Sequence, residues 1–171
     1  MTRRILARAL VPLLAVLGTP EASPAQKRGS VSGVNIPRFA ALRADVVNLR
    51  RGPGERYPID WVYHRAGLPI EITREFGPWR QVRMYDGTTG WVFHSLLTSR
   101  RGFIVTVAEA TIRRRPEPAA RAVAHLSHGV VGRLRHCEAA SAWCQVSVGH
   151  HTGYLRRAAF WGSYPGEAVA E

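Results

Sequence analysis

The sequence predicts an all-β protein of two tandem small β-barrels that follow a signal peptide. Three observations carry that expectation. Downstream of residue 37 apolar residues alternate in short runs, as where Leu68, Ile70 and Ile72 interleave with Pro69, Glu71 and Thr73. Sixteen glycines and eleven prolines break the chain into turns at short intervals. The first set of runs also recurs, in order, at an offset of about 63 residues.

Residues 1–25 stand apart. Arg3, Arg4 and Arg8 precede an apolar segment from Ala9 to Gly18, and Ser23-Pro24-Ala25 closes it with small residues. This is the layout of a secretory signal peptide cut after Ala25. The apolar run is shorter than the roughly 20 residues of a membrane span. The mature chain is therefore expected to be exported, periplasmic or extracellular, with no transmembrane span. Of 24 basic and 12 acidic residues, Arg3, Arg4, Arg8 and Glu21 would leave with the signal, so the mature net charge is +10. That excess suits anionic partners, among which export disfavours nucleic acid. Solvated arginine-rich surface accounts for the same charge without a partner. Residues 26–37, QKRGSVSGVNIP, lack periodicity and have the composition of a flexible linker.

The first domain is expected over residues 38–100. Ala40–Leu42 and Val46–Leu49 read as short strands, and Gly52-Pro53-Gly54 turns the chain after Arg50 and Arg51. Ile59–Tyr63 is the next run, and Leu68–Thr73 has the alternation of a half-buried strand. Gly77-Pro78 turns the chain into Trp79–Met84, and Asp86-Gly87 is a hairpin signal before Gly90–Phe93. Ser95-Leu96-Leu97 reads as a tight helical turn.

The second domain, expected over 103–165, copies this outline. Thr111-Ile112-Arg113 answers Asn48-Leu49-Arg50, and Gly129 answers Gly67. Trp143-Cys144-Gln145-Val146 answers Trp79-Arg80-Gln81-Val82, and Gly153-Tyr154-Leu155 answers Gly90-Trp91-Val92. Few residues separate the copies, so the two barrels should pack together or be held semi-rigidly.

Taken in order and at these spacings, VNLRRGPGERYP, GPWRQVR and DGTTGWVFHSLL strongly resemble the bacterial SH3-like (SH3b) family of exported modules. The resemblance runs from about Phe39 to Gly166. It implies a five-to-six-stranded barrel and a targeting or binding role in the cell envelope, often beside peptidoglycan hydrolases, and implies no activity. Repeat two departs from the pattern: Arg115 and Glu117 replace the loop glycines, and Ala120 stands where Tyr57 would.

Cys137 and Cys144 flank a short connection between two β-type runs, which reads as a structural disulfide in an exported chain. Glu75 and Arg80 hold the equivalent places in repeat one, where an ion pair would substitute for it. Seven histidines lack a completing cysteine or carboxylate at familiar metal spacing, so neither metal nor cofactor is expected. Ser-His-Asp catalysis and a phosphate-cradling loop lack their parts. A wall-cutting cysteine peptidase would need a further domain for which there is no room.

Inward Val82, Met84 and Val92 send Trp79, Trp91 and Phe93 outward. With Tyr57 or Trp61 these rings could form a shallow groove beside Arg50 and Arg51, or instead cover the barrel ends or the domain contact. Aromatic faces suit sugars and flat peptide surfaces, and guanidinium groups suit carboxylates. The expected function is a non-catalytic exported binding module for a peptidoglycan peptide, a glycan or another anionic wall component, with the oligomeric state left open. The alternative is an adaptor for an envelope protein, using the aromatic set or an exposed strand edge.

Overall fold

In the computed structural model residues 27–170 are described. The expected signal peptide, residues 1–25, lies outside them. Each repeat forms one antiparallel seven-stranded sheet. In the first the strands are β3 (Arg38–Leu42), β4 (Val47–Arg50), β5 (Ile59–Tyr63), β6 (Pro69–Phe76), β7 (Trp79–Arg83), β8 (Thr89–Phe93) and β9 (Leu97–Thr98), ordered β5-β4-β8-β7-β6-β3-β9. In the second they are β10 (Gly102–Val105), β11 (Glu109–Arg113), β12 (Ala122–Ser127), β13 (Val131–Cys137), β14 (Trp143–Val148), β15 (His151–Arg156) and β16 (Phe160–Trp161). Their order, β12-β11-β15-β14-β13-β10-β16, repeats the first with each strand replaced by its counterpart. The duplication read from the sequence is thus a duplication of topology.

The two outermost strands of each sheet do not pair, so the sheet wraps its core without closing the ladder. The strand count exceeds five or six because a 3-10 turn, His94–Leu96 or Arg157–Ala159, returns a two-residue strand to pair with β3 or β10. Strand alternation fills the cores. Val47, Leu49, Ile70, Val82 and Val92 are buried in the first, and Ile112, Leu134, Val146 and Leu155 in the second. Each such side chain stabilises its domain by roughly 1.5–3 kcal/mol.

Of the expected flexible linker at 26–37, the described residues 27–37 are instead ordered. β1 (Lys27–Arg28) pairs with β2 (Asn35–Ile36), and the turn between them wraps the Glu75 carboxylate. Glu75 accepts from the Ser32 hydroxyl at 2.6 Å, the Ser32 amide at 2.8 Å and the Val31 amide at 3.0 Å. The carboxylate sits directly over Gly29, where an added Cβ would force it to shift. The glycine and serine composition that reads as disorder is a loop fitted around an anion.

Glu75 opposes Arg80 in the β6–β7 ladder, and Cys137 opposes Cys144 in the β13–β14 ladder. The ion pair, at 3.4 Å, does stand where repeat two has its Cys137–Cys144 disulfide. The same strand end receives a terminal segment in both copies. The hairpin docks on Glu75, while Val169 exchanges two backbone hydrogen bonds with Cys137 and enters the second core, past the expected boundary at 165.

The two domains pack on each other. Ile104 is buried in the first domain's core, and Val131 and Trp161 pack against it. Phe39 meets Trp161 edge-on at 4.8 Å and Tyr164 at 4.7 Å. The Tyr164 hydroxyl donates to buried Glu71 at 2.7 Å, and Arg83 Nε donates to the other carboxylate oxygen at 2.7 Å. Burial, then the bond to Glu71, raises the Tyr164 pKa, so the phenol stays a donor.

Candidate functional site

The loop after β4 is built around Arg50. Its Nη1 donates to the carbonyls of Tyr57 at 2.8 Å and Glu55 at 3.0 Å, closing the Gly-Pro-Gly loop. Arg113 does the same in repeat two, donating to Ala120 at 2.7 Å. The paired arginine is therefore a loop tie in both copies. The Tyr57 ring packs over the open face of Gly52. Repeat two exchanges both residues, for Arg115 and Ala120.

Trp79 and Phe93 are direct partners across the β7–β8 ladder, on the outer face, because Val82 and Val92 point inward. Their rings meet edge-on at 5.5 Å. Together with Arg50 they line a shallow groove of about 230 Å³, completed by Asn48, Glu55, Ser95 and Leu96. Three of the seven residues expected to form a site are thus brought together.

The other four are not. Trp91 shares the outer face but pairs with Gln81 and Arg50 rather than lining the groove. Arg51 is exposed and ion-paired to Asp60 at 3.1 Å. Tyr57 is occupied by Gly52, and Trp61 stands 59% exposed on edge strand β5. The expected alternative, that the rings make the domain contact, does not describe Trp79, Trp91 or Phe93. That contact is made by Phe39, Trp161 and Tyr164 instead. Sequence reading missed the polar wall of Asn48, Glu55 and Ser95, which come from three separate segments with no shared spacing.

Repeat two treats the same position differently. Arg156 pairs with Trp143 where Phe93 pairs with Trp79, and its guanidinium lies 5.0 Å over the indole. The histidines do not gather either. His125 faces Glu109 at 3.1 Å, His150 and His151 lie in a separate depression, and no three metal-binding side chains converge among the described residues.

The bacterial SH3 domain model matches residues 43–98 and again 106–162. The chain belongs to the bacterial SH3 domain family. Both seven-stranded units are thus SH3-like β domains in tandem. A Bacillus subtilis protein, "Putative N-acetylmuramoyl-L-alanine amidase YrvJ", is 28% identical over 131 residues, covering 68% of this chain and 24% of that protein. The chain therefore spans about a quarter of the length of that relative. Solved structures of NlpC2 and NlpC1 from Trichomonas vaginalis overlap it at 13% and 12% identity, with TM-scores of 0.34 and 0.35. They cover 74% and 85% of this chain, against 48% and 52% of their own.

Proposed function

We propose that the protein is an exported, non-catalytic module that attaches to the bacterial cell envelope through the repeat-one groove, where it recognises a wall peptide or glycan. The observation that carries this reading is the contrast at one strand-pair position. In repeat one Trp79 and Phe93 meet edge-on beside Arg50, so ring surface borders an open groove. In repeat two Arg156 covers Trp143. Ring faces take up sugar rings and apolar peptide surface, while Arg50 and Glu55 offer opposite charges to a zwitterionic peptide. Only Nη1 of Arg50 is engaged by the loop.

The relative named for a wall amidase contains the shared stretch as a minor part of its length, which supports a wall-directed binding role for that part. A disulfide in the second domain supports export. Co-sedimentation with purified sacculi tests the reading. The protein should pellet at low salt and less at high salt; failure to pellet at low salt refutes it.

A second reading, an adaptor for an envelope protein, is favoured by edge strand β5. Ile59, Trp61 and Val62 are 45%, 59% and 43% exposed on a strand with one unpaired side. Such an edge can accept a partner strand. Crosslinking at Trp61 that captures one envelope protein, in a variant unable to pellet with sacculi, would select this reading.

A further inference from the structure

Repeat two carries a concave surface of its own. A depression of about 490 Å³ lies where the loop between β11 and β12 meets the turn between β14 and β15, within the range usual for ligand pockets. Arg114, Arg121, His150, His151 and Thr152 line it, and no aspartate or glutamate does. The four basic residues are exposed, and their side chains make no hydrogen bond or ion pair among the described residues.

The backbone fixes where these side chains start. The Arg114 amide donates to the Arg121 carbonyl at 3.0 Å, so the two arginines stand opposite each other at the base of the loop. Arg113 holds the loop from inside by donating to the Ala120 carbonyl at 2.7 Å. On the other wall Val148 pairs with His151, and Gly149 and His150 form the tight turn between them, with Gly149 at φ 54°. The loop's one carboxylate, Glu117, is taken by Arg115 at 2.7 Å. Glu109, the acid of β11, faces His125 at 3.1 Å instead.

Repeat one builds the same loop without this charge. There the Arg51 amide donates to the Pro58 carbonyl at 3.1 Å, the same bond one repeat earlier. Arg51, the counterpart of Arg114, is ion-paired to Asp60 at 3.1 Å. Asp60 is the residue that the β4–β5 ladder skips at its bulge, and Val123 is skipped in the same way between β11 and β12. The acid that balances the arginine has become a valine. Pro58 has become Arg121, Thr88 has become His151, and the turn Tyr85-Asp86-Gly87 has shortened to Gly149-His150. Two carboxylates are lost and three basic side chains gained on one surface. Like charges gathered in a concavity repel one another and raise the local positive potential, and a bound anion relieves both effects.

We propose that this depression binds a phosphate group, with Arg114 and Arg121 as its charge partners and His150, His151 and the Thr152 hydroxyl as further hydrogen-bond donors. The donors come from three places: the start of a loop, its end, and the turn facing it. A tetrahedral phosphate presents oxygens in several directions and can accept from all three. A planar carboxylate has two oxygens and suits a single guanidinium fork. The site lies in the other domain from the Arg50–Trp79–Phe93 groove, and its test uses small soluble ligands, so either site can fail without the other.

The experiment titrates the purified protein with inorganic phosphate and with glycerol phosphate, at low ionic strength held constant with chloride, and follows the amide shifts of His150, His151 and Thr152 by NMR. At least one of the two should give saturable shifts, and the tighter tells whether the group is taken free or as an ester. Acetate should bind more weakly than either. The Arg114→Gln/Arg121→Gln variant should weaken phosphate binding about five-fold or more. Ala122→Asp, which places a carboxylate at an exposed position lining the depression, should weaken it to a similar extent. The Arg43→Gln/Arg100→Gln variant, which removes the same charge from exposed positions outside the depression, should stay within about two-fold. No saturable shift with either phosphate, acetate binding as tightly as phosphate, or equal losses in the two double variants would overturn the proposal.

Discussion

Replacing Glu75 by glutamine probes how the N-terminal hairpin is held. The carboxylate is covered, accepts three hydrogen bonds from Ser32 and Val31, and pairs with Arg38 and Arg80 at 3.3 and 3.4 Å. Burial alone would push its pKa up. The Ser32 hydroxyl, the Ser32 and Val31 amides and the Arg80 charge outweigh that effect and bring it from 4.5 down to about 2. A folded pKa below the unfolded one means that the carboxylate stabilises docking fully above pH 4.5. That contribution drains away as pH falls through the native value near 2. Taken at face value the difference is about 3 kcal/mol, and solvent screening around an exposed hairpin reduces it to roughly 1–2 kcal/mol. The amide shifts of Val31 and Ser32, followed by NMR, should titrate with a midpoint near 2 and stop titrating in Glu75→Gln. Tryptic cleavage after Arg28 should run roughly 5–30 times faster in that variant at neutral pH. A midpoint near 4.5, or unchanged cleavage, would refute the account of the hairpin.

Two further predictions concern stability. Cys137 and Cys144 close a loop of about eight residues, so reduction should lower the stability of the joint unfolding transition by about 2.5 kcal/mol in the chain-entropy model. Urea unfolding with and without reductant checks this, and coincident curves would contradict it. Tyr164→Phe removes the donor to Glu71 across the domain contact and should cost about 1–2 kcal/mol, splitting a joint unfolding transition into two. An unchanged single transition would show that the contact contributes little.

Much of the fold was legible because strand period and turn chemistry are local. Leu68, Ile70 and Ile72 announced β6, and Asp86-Gly87 announced the turn before β8, where the Thr88 amide donates to Asp86 at 2.9 Å. The hairpin at 27–36 was misread because its order comes from Glu75, more than forty residues away, and not from its own composition. The groove was half legible. Alternation put Trp79, Trp91 and Phe93 on one face, but the ladder register decides which rings meet, and it joins Trp79 to Phe93 while giving Trp91 to Gln81 and Arg50. Which residues meet between the domains was not legible at all, since Phe39, Trp161 and Tyr164 are brought together only by the docking of the two.

Sacculus pelleting with Trp79→Ala beside Trp143→Ala tests the central claim most directly. Both substitutions remove an indole from the same strand position of an SH3-like domain, so the position in the fold is held constant. If repeat one carries the wall-binding groove, Trp79→Ala should lower the affinity for sacculi about ten-fold while Trp143→Ala stays near the parent protein. Equal affinities for the two variants, or a larger loss in Trp143→Ala, would contradict it.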